Sequence, residues 1–182
     1  MVRDASRVAP SIAARTRVVV ADPLQPERLP GVVQGVKVAY YLIHSMSASD
    51  GDFQHRDWLA AHNFAVAARE AGVSRIIYLG ALASENSHLS AHLKSRHETG
   101  EALRSFGPPV TEFRARILVG NGSVSFELVR YLTERLLVMI CPRWVVTATQ
   151  PIAIDDALDY LVAALQSRWI VASPASNGSD TP

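Results

Sequence analysis

The sequence predicts an α/β protein: a three-layer domain with a parallel sheet between helices. Three observations carry that expectation. Two short apolar runs, KVAYYLIHSM (37–46) and SRIIYLGAL (74–82), bracket a single alanine-rich stretch of helical character. Each run breaks at its carboxyl end into small or polar residues. Beyond them, short apolar runs keep alternating with longer helical patterns to residue 166. Strands covered on both faces read as continuous apolar stretches, and their alternation with helices implies right-handed strand–helix–strand crossovers. Open parallel sheets bind ligands beyond the carboxyl ends of their strands, so that rim is where a ligand is expected.

The elements follow in order. Residues 1–16 are poor in large apolar side chains and contain Pro10, so a loop or a weak helix is expected. Arg17 to Ala21 (RVVVA) reads as a short buried strand closed by Asp22 and Pro23, and Pro26, Pro30 and Gly31 then form a turn or brief helix. Val36 to Ile43 is the second strand. Asp50, Gly51 and Asp52 suit a helix start, where acids meet the positive end of the dipole. The helix runs from Phe53 to Glu70, with Trp58, Ala61, Ala65 and Ala68 along one stripe, and Gly72 stops it. Val73 to Leu79 is the third strand and Gly80 to Ser87 a loop.

A mixed helix from His88 to Ser105 ends at Gly107, Pro108 and Pro109, and Val110 to Val119 forms a fourth strand. The turn Gly120-Asn121-Gly122-Ser123 leads into an amphipathic helix carrying Phe126, Val129 and Leu132. Leu136 to Ile140 reads as a short strand, and Val145 to Ile154 as extended chain around Pro151. Asp155 caps a last helix, Asp156 to Gln166, which turns Ala157, Tyr160, Leu161 and Ala164 to the core. The tail SPASNGSDTP has a disordered composition. The expected division is one domain over residues 1–172 and a tail over 173–182.

Composition narrows the function classes. A net charge of +1 from interspersed charges provides no basic face for nucleic acid. A lone cysteine, Cys141, rules out an internal disulfide and suits a reducing compartment. No apolar run reaches the roughly 18–20 residues of a membrane span, and the start lacks the apolar core of a secretory signal. A cytoplasmic protein is therefore expected. His88 and His92 stand four apart, a spacing zinc sites use, but no third ligand accompanies them, so no metal is expected. No G-x-S-x-G occurs, and Ser45 beside His44 does not make a triad.

Four segments, VAYYLIHSM, AAREAGVSRIIYLG, HLKSRHETGEALRSFGPPVTEFRARILVG and QPIAIDDALDYLVAAL, together resemble the short-chain dehydrogenase/reductase superfamily in order and spacing. More narrowly the chain is similar to its atypical, NmrA-like branch. The resemblance implies a Rossmann-like fold, NADP or NAD as cofactor, and hydride transfer involving a small organic substrate. It also implies that Met1 lies inside the fold, so that the sheet is truncated at its N-terminus. No G-x-G-x-x-G or G-x-x-G-x-x-G precedes residue 30. Two outcomes are expected from that: direct pairing of the 17–21 and 36–43 strands, or a longer native chain.

The resemblance also assigns site residues. Arg3, in Val2-Arg3-Asp4, matches an arginine that recognises the 2′-phosphate of NADP; its plain alternative is a terminal charge. Asp22 falls near the adenine, or is only a turn residue before Pro23. Leu42, His44, Ser45 and Met46 line the diphosphate and nicotinamide ribose, and Gly120 borders the nicotinamide or substrate end. Catalytic relatives use a serine and a Tyr-x-x-x-Lys pair; here Gly80-Ala81 and His92-Leu93-Lys94-Ser95-Arg96 stand in those places. His92 and Arg96 keep the one-turn geometry, with His92 as candidate proton donor and Arg96 as a ribose or phosphate ligand. Without those residue types, a non-catalytic dinucleotide-sensing or protein-interaction module and an inactive fragment are the alternatives. Asn63, inside the first long helix, reads as structural.

Overall fold

The structure, a computed structural model, describes residues 1–44, 53–82, 90–120, 124–135 and 150–167. In chain order the elements are α1 (Pro10–Ala13), α2 (Leu29–Val33), β1 (Val38–Tyr41), α3 (Phe53–Glu70) and β2 (Arg75–Ala81). Then follow α4 (Ala91–Phe106), β3 (Val110–Ala115), β4 (Ile117–Val119), α5 (Val124–Arg135), β5 (Pro151–Ala153) and α6 (Ile154–Gln166). Strands β1, β2 and β3 form one parallel sheet in that order, with Tyr41 opposite Tyr78 and Leu79 opposite Phe113. Strands β4 and β5 form a second, smaller parallel pair. The expected α/β, Rossmann-like arrangement is the one observed.

Side-chain size explains the layers. Ala61, Ala65 and Ala68 are fully buried on α3, and their small side chains let that helix lie close to the sheet. With Phe64, Leu103 of α4, Ile76, Tyr41 and Tyr78 they make the main core, in which the Tyr41 and Phe64 rings stand 5.2 Å apart. Truncating a fully buried leucine such as Leu103 typically costs about 2–5 kcal/mol. The opposite face of the sheet is covered by α6, whose Leu161 and Ala164 meet Ile77, Val38, Leu79 and Phe113. Two polar links fix that helix. The Tyr40 hydroxyl donates to the Leu161 carbonyl at 2.9 Å, and the Arg75 guanidinium donates to the carbonyls of Ala164 and Ser167, both at 2.7 Å.

The bounds of α3 coincide with the expected 53–70, and Gly72 ends the turn beyond it with φ +72°, a conformation glycine adopts without strain. Other expectations are corrected. The 17–21 run is not a full strand. Only Val20 bridges, in parallel, to Val2, through Val2 N–H to the Val19 carbonyl at 2.9 Å and Ala21 N–H to the Val2 carbonyl at 3.0 Å. Nor does it pair with β1, which among the described strands pairs with β2 alone. Val2 supplies the backbone partner instead, and Asn63 Nδ2 ties the segment to α3 by donating to the Pro23 carbonyl at 3.0 Å. Asn63 is structural, as expected.

The fourth strand breaks at Arg116, which separates β3 from β4 because the two pair with different partners. The last helix starts at Ile154 with Ala153 as its N-cap residue, so Asp155 lies in the first turn and does not cap it. Tyr160 is 58% exposed and not a core residue. The expected 136–140 strand, the extended chain from Val145 to Thr149 and the tail lie outside the described residues.

Candidate functional site at the carboxyl rim

The rim at the carboxyl ends of β1 and β2 is built from four segments. The chain leaving β1 brings His44, and the first turns of α3 bring Arg56 and Asp57. The first turns of α4 bring His92, Ser95 and Arg96. Ser90 starts α4 by accepting from the Leu93 N–H at 3.4 Å, which sets His92 and Arg96 one turn apart on one side. Residues 1–3 and 21–24, joined by the Val2–Val20 bridge, close the remaining side.

A cavity of about 130 Å³ opens there. Arg3, Asp22, His44, Arg56 and Asp57 line it, with apolar surface from Ala21, Ile43 and Ala60. Asp22 is held by a local turn in which its Oδ1 accepts from the Leu24 N–H at 3.0 Å. Asp57 is buried, and the Ser95 hydroxyl donates to its Oδ2 at 2.9 Å, a bond that locks α3 to α4. Arg96 donates from Nη1 to the Leu79 carbonyl at 3.2 Å, and the Tyr78 hydroxyl donates to the Arg96 carbonyl at 2.9 Å. His92 is exposed and its ring lies 4.9 Å from that of Phe53.

The electrostatics join these groups into one neighbourhood. Partial loss of water holds the His44 imidazole below its ordinary pKa, the Arg96 charge lowers it further, and His92 acts in the same direction; Asp57 and a backbone bond at Leu42 oppose them. His44 is thereby kept neutral near pH 7. Burial raises the Tyr78 and Tyr41 phenols, so both stay protonated.

Of the residues expected from sequence, Arg3, Asp22 and His44 meet at one cavity, and Arg96 reaches His44 electrostatically from α4. Leu42 is 53% exposed, and Gly120 lies away from this cavity, against Ile154 at the start of α6. Ser45 and Met46 lie outside the described residues. Arg56 and Asp57 also line the cavity, and the sequence pattern does not single them out. The available signal is Asp57 itself, a carboxylate one turn before Ala61 on the stripe that faces inward.

The residues suit part of a dinucleotide: arginines for phosphate, and carboxylates for hydroxyl or amino groups. Among the described residues no group of three or more histidine, cysteine or acidic side chains is placed to hold a metal ion, and no helix is long and apolar enough to cross a membrane.

Comparison with known proteins bears on the fold and the family. The chain resembles a triphenylmethane reductase from Citrobacter sp., solved with NADP(H), at 25% identity and a TM-score of 0.56, over 72% of this chain and 44% of that one. It resembles the Bordetella bronchiseptica enzyme WbmG, solved with NAD, at 14% identity and a TM-score of 0.68, over 83% and 54%. A UDP-glucuronic acid 4-epimerase from Bacillus cereus, solved with NAD, matches at 16% identity and 0.66, over 89% and 60%. The chain thus spans less than two thirds of each of these structures. No curated protein matches it. The profile of one family, described as NAD(P)H-binding, matches residues 1–107. The chain belongs to this NAD(P)H-binding family.

Proposed function

We propose that the chain holds NADP, or NAD, across the carboxyl rim, from Arg3 and Asp22 past His44 to Arg96, within an oxidoreductase acting on a small organic substrate. The observation that carries this reading is the convergence of Arg3, Asp22, His44, Arg56 and Asp57 on one cavity, beside the braced Arg96. Arg3 meets the extra phosphate of NADP, and Asp22 and Asp57 accept from sugar hydroxyls. Arg96, fixed by Leu79, faces a phosphate or the second ribose with its remaining donors. The Citrobacter reductase, a structural relative solved with NADP(H), supports the choice of cofactor.

A bound nicotinamide supplies hydride chemistry. His92, one turn from Arg96, is the candidate to hold the accompanying proton. A second reading, a dinucleotide sensor without turnover, is favoured by residue type: Gly80-Ala81 and His92–Arg96 occupy the places where catalytic relatives carry serine and Tyr-x-x-x-Lys.

Calorimetric titration with NADPH and NADH, followed by cofactor consumption against a panel of carbonyl substrates, tests both. Saturable binding with turnover that His92→Phe abolishes supports the oxidoreductase. Binding without turnover supports the sensor. Absence of binding to either nucleotide defeats both.

A further inference from the structure

A second cavity, of about 230 Å³, lies on the other face of the sheet, between the carboxyl ends of β2 and β3 and helix α6. Leu79, Phe113 and Ala115 line it from β2 and β3, Ile152 from β5, and Ala157 and Tyr160 from α6. The Phe113 and Tyr160 rings stand 6.3 Å apart, inclined by 36°. Arg114 also borders it, but its guanidinium donates to Glu112, from Nε at 3.1 Å and from a terminal nitrogen at 3.3 Å. Among the described residues the lining is therefore apolar and aromatic, with Tyr160 adding a neutral hydroxyl, and the neighbouring cation is already paired.

Size and position select the occupant. A cavity of roughly 150 Å³ lined by apolar side chains takes up benzene, whereas drug-sized ligands need about 300 Å³ or more. The space at α6 lies between these limits and fits one aromatic ring or two fused rings. Its charge balance disfavours an ionised group. Leu79 connects it to the first site: its side chain lines this cavity while its carbonyl accepts from Arg96. A ligand seated here thus touches the residue that anchors the candidate cofactor arginine.

We infer that the α6 cavity receives the uncharged one- or two-ring aromatic part of the small-molecule substrate. The word substrate rests on the function proposed above; the binding site rests on the cavity alone.

Equilibrium dialysis with 2-naphthol tests the inference, using the full chain and three variants. Tyr160→Ala removes an exposed aromatic wall, and Ala157→Leu fills the cavity from within. Tyr131→Ala removes an equally exposed tyrosine on α5 and serves as control. The expected result is saturable binding of one 2-naphthol per chain, weakened at least fivefold by Tyr160→Ala and by Ala157→Leu and unchanged by Tyr131→Ala. Absence of saturable binding overturns the inference, as does equal binding by the parent chain and Tyr160→Ala, a variant whose exposed position does not threaten folding. NADPH is titrated in parallel. Absence of 2-naphthol binding to the parent chain, with its NADPH binding intact, overturns this inference alone. Naphthol binding without NADPH binding upholds the aromatic site and defeats the cofactor reading alone.

Discussion

Arg96 on α4 donates to the carbonyl of Leu79 near the end of β2 at 3.2 Å, and Leu79 in turn lines the second cavity. Tyr78 makes the return connection to the Arg96 carbonyl at 2.9 Å. Helix and strand are thus joined by two bonds running in opposite directions, which fixes the arginine before any ligand arrives.

Arg96→Ala is expected to weaken NADPH binding about tenfold or more, since a hydrogen bond to a charged group contributes about 1.5–3 kcal/mol. Arg96→Lys recovers less than half of the loss in free energy, because one ammonium cannot bond to Leu79 and a ligand with the fork of a guanidinium. Calorimetric titration of the two variants checks both statements.

Arg3→Ala is expected to reduce the preference for NADPH over NADH several-fold and to leave NADH affinity close to that of the parent chain. Arg3 lies at the cavity mouth and is exposed, so the change costs little stability. The ratio of the two dissociation constants, measured in one buffer at fixed salt, is the readout.

The pH dependence of His44 follows from its lowered pKa. The unfolded chain binds a proton on this ring near its ordinary pKa of about 6.5, and the folded chain does so only at lower pH. Stability therefore falls as pH drops below that value, until the folded ring protonates as well. Proton titration by NMR is expected to place His44 below free histidine, and Arg96→Ala is expected to raise it by removing a nearby positive charge. His44→Gln flattens the corresponding part of a urea-midpoint curve from neutral pH into the mildly acidic range.

Arg75 is a side-chain cap for α6, with its fork on the Ala164 and Ser167 carbonyls. Arg75→Ala is expected to destabilise the fold by about 1.5–3 kcal/mol per charge-assisted bond lost, less whatever water recovers. Arg75→Lys restores only part of it. Urea unfolding followed by circular dichroism measures both.

Gly120 sits so close to Ile154 that a methyl group at its Cα would meet Ile154 Cγ2. Gly120→Ala is expected to cost about 1–3 kcal/mol by overpacking, and Ile154→Ala in the same chain is expected to recover part of it. A double-mutant cycle in urea gives the coupling.

What is legible in the sequence depends on whether the deciding partner is local. The ends of α3 are legible because an alanine stripe, the preceding Asp50 and Asp52 and the following Gly72 all lie within one segment of sequence. Asp22 and His44 are legible because they follow strand-like runs, and carboxyl ends of parallel strands converge; Arg3 is legible only through the family resemblance. The 17–21 run reads as a full strand because its apolar residues mimic one, while its pairing depends on Val2, far back along the chain. Tyr160 reads as a core residue because it lies three residues after Ala157 and one before Leu161. The sheet ends beside it, however, so its ring stands at the rim. Arg56 and Asp57 are hidden inside a helix pattern that speaks only of packing.

The Val2–Val20 bridge has a dynamic consequence. Residues 1–36 are held to the rest by the Asn63 bond to Pro23 and by Leu29 and Val33 in the main core, without a continuous ladder to β1. Such a unit opens at lower free energy than the central strands. Amide hydrogens of Val2 and Ala21 are expected to exchange with deuterium well before those of Ile76 and Ile77. Because Arg3 and Asp22 travel with that unit, a ligand that grips both slows its exchange, reporting occupancy without any enzymatic assay.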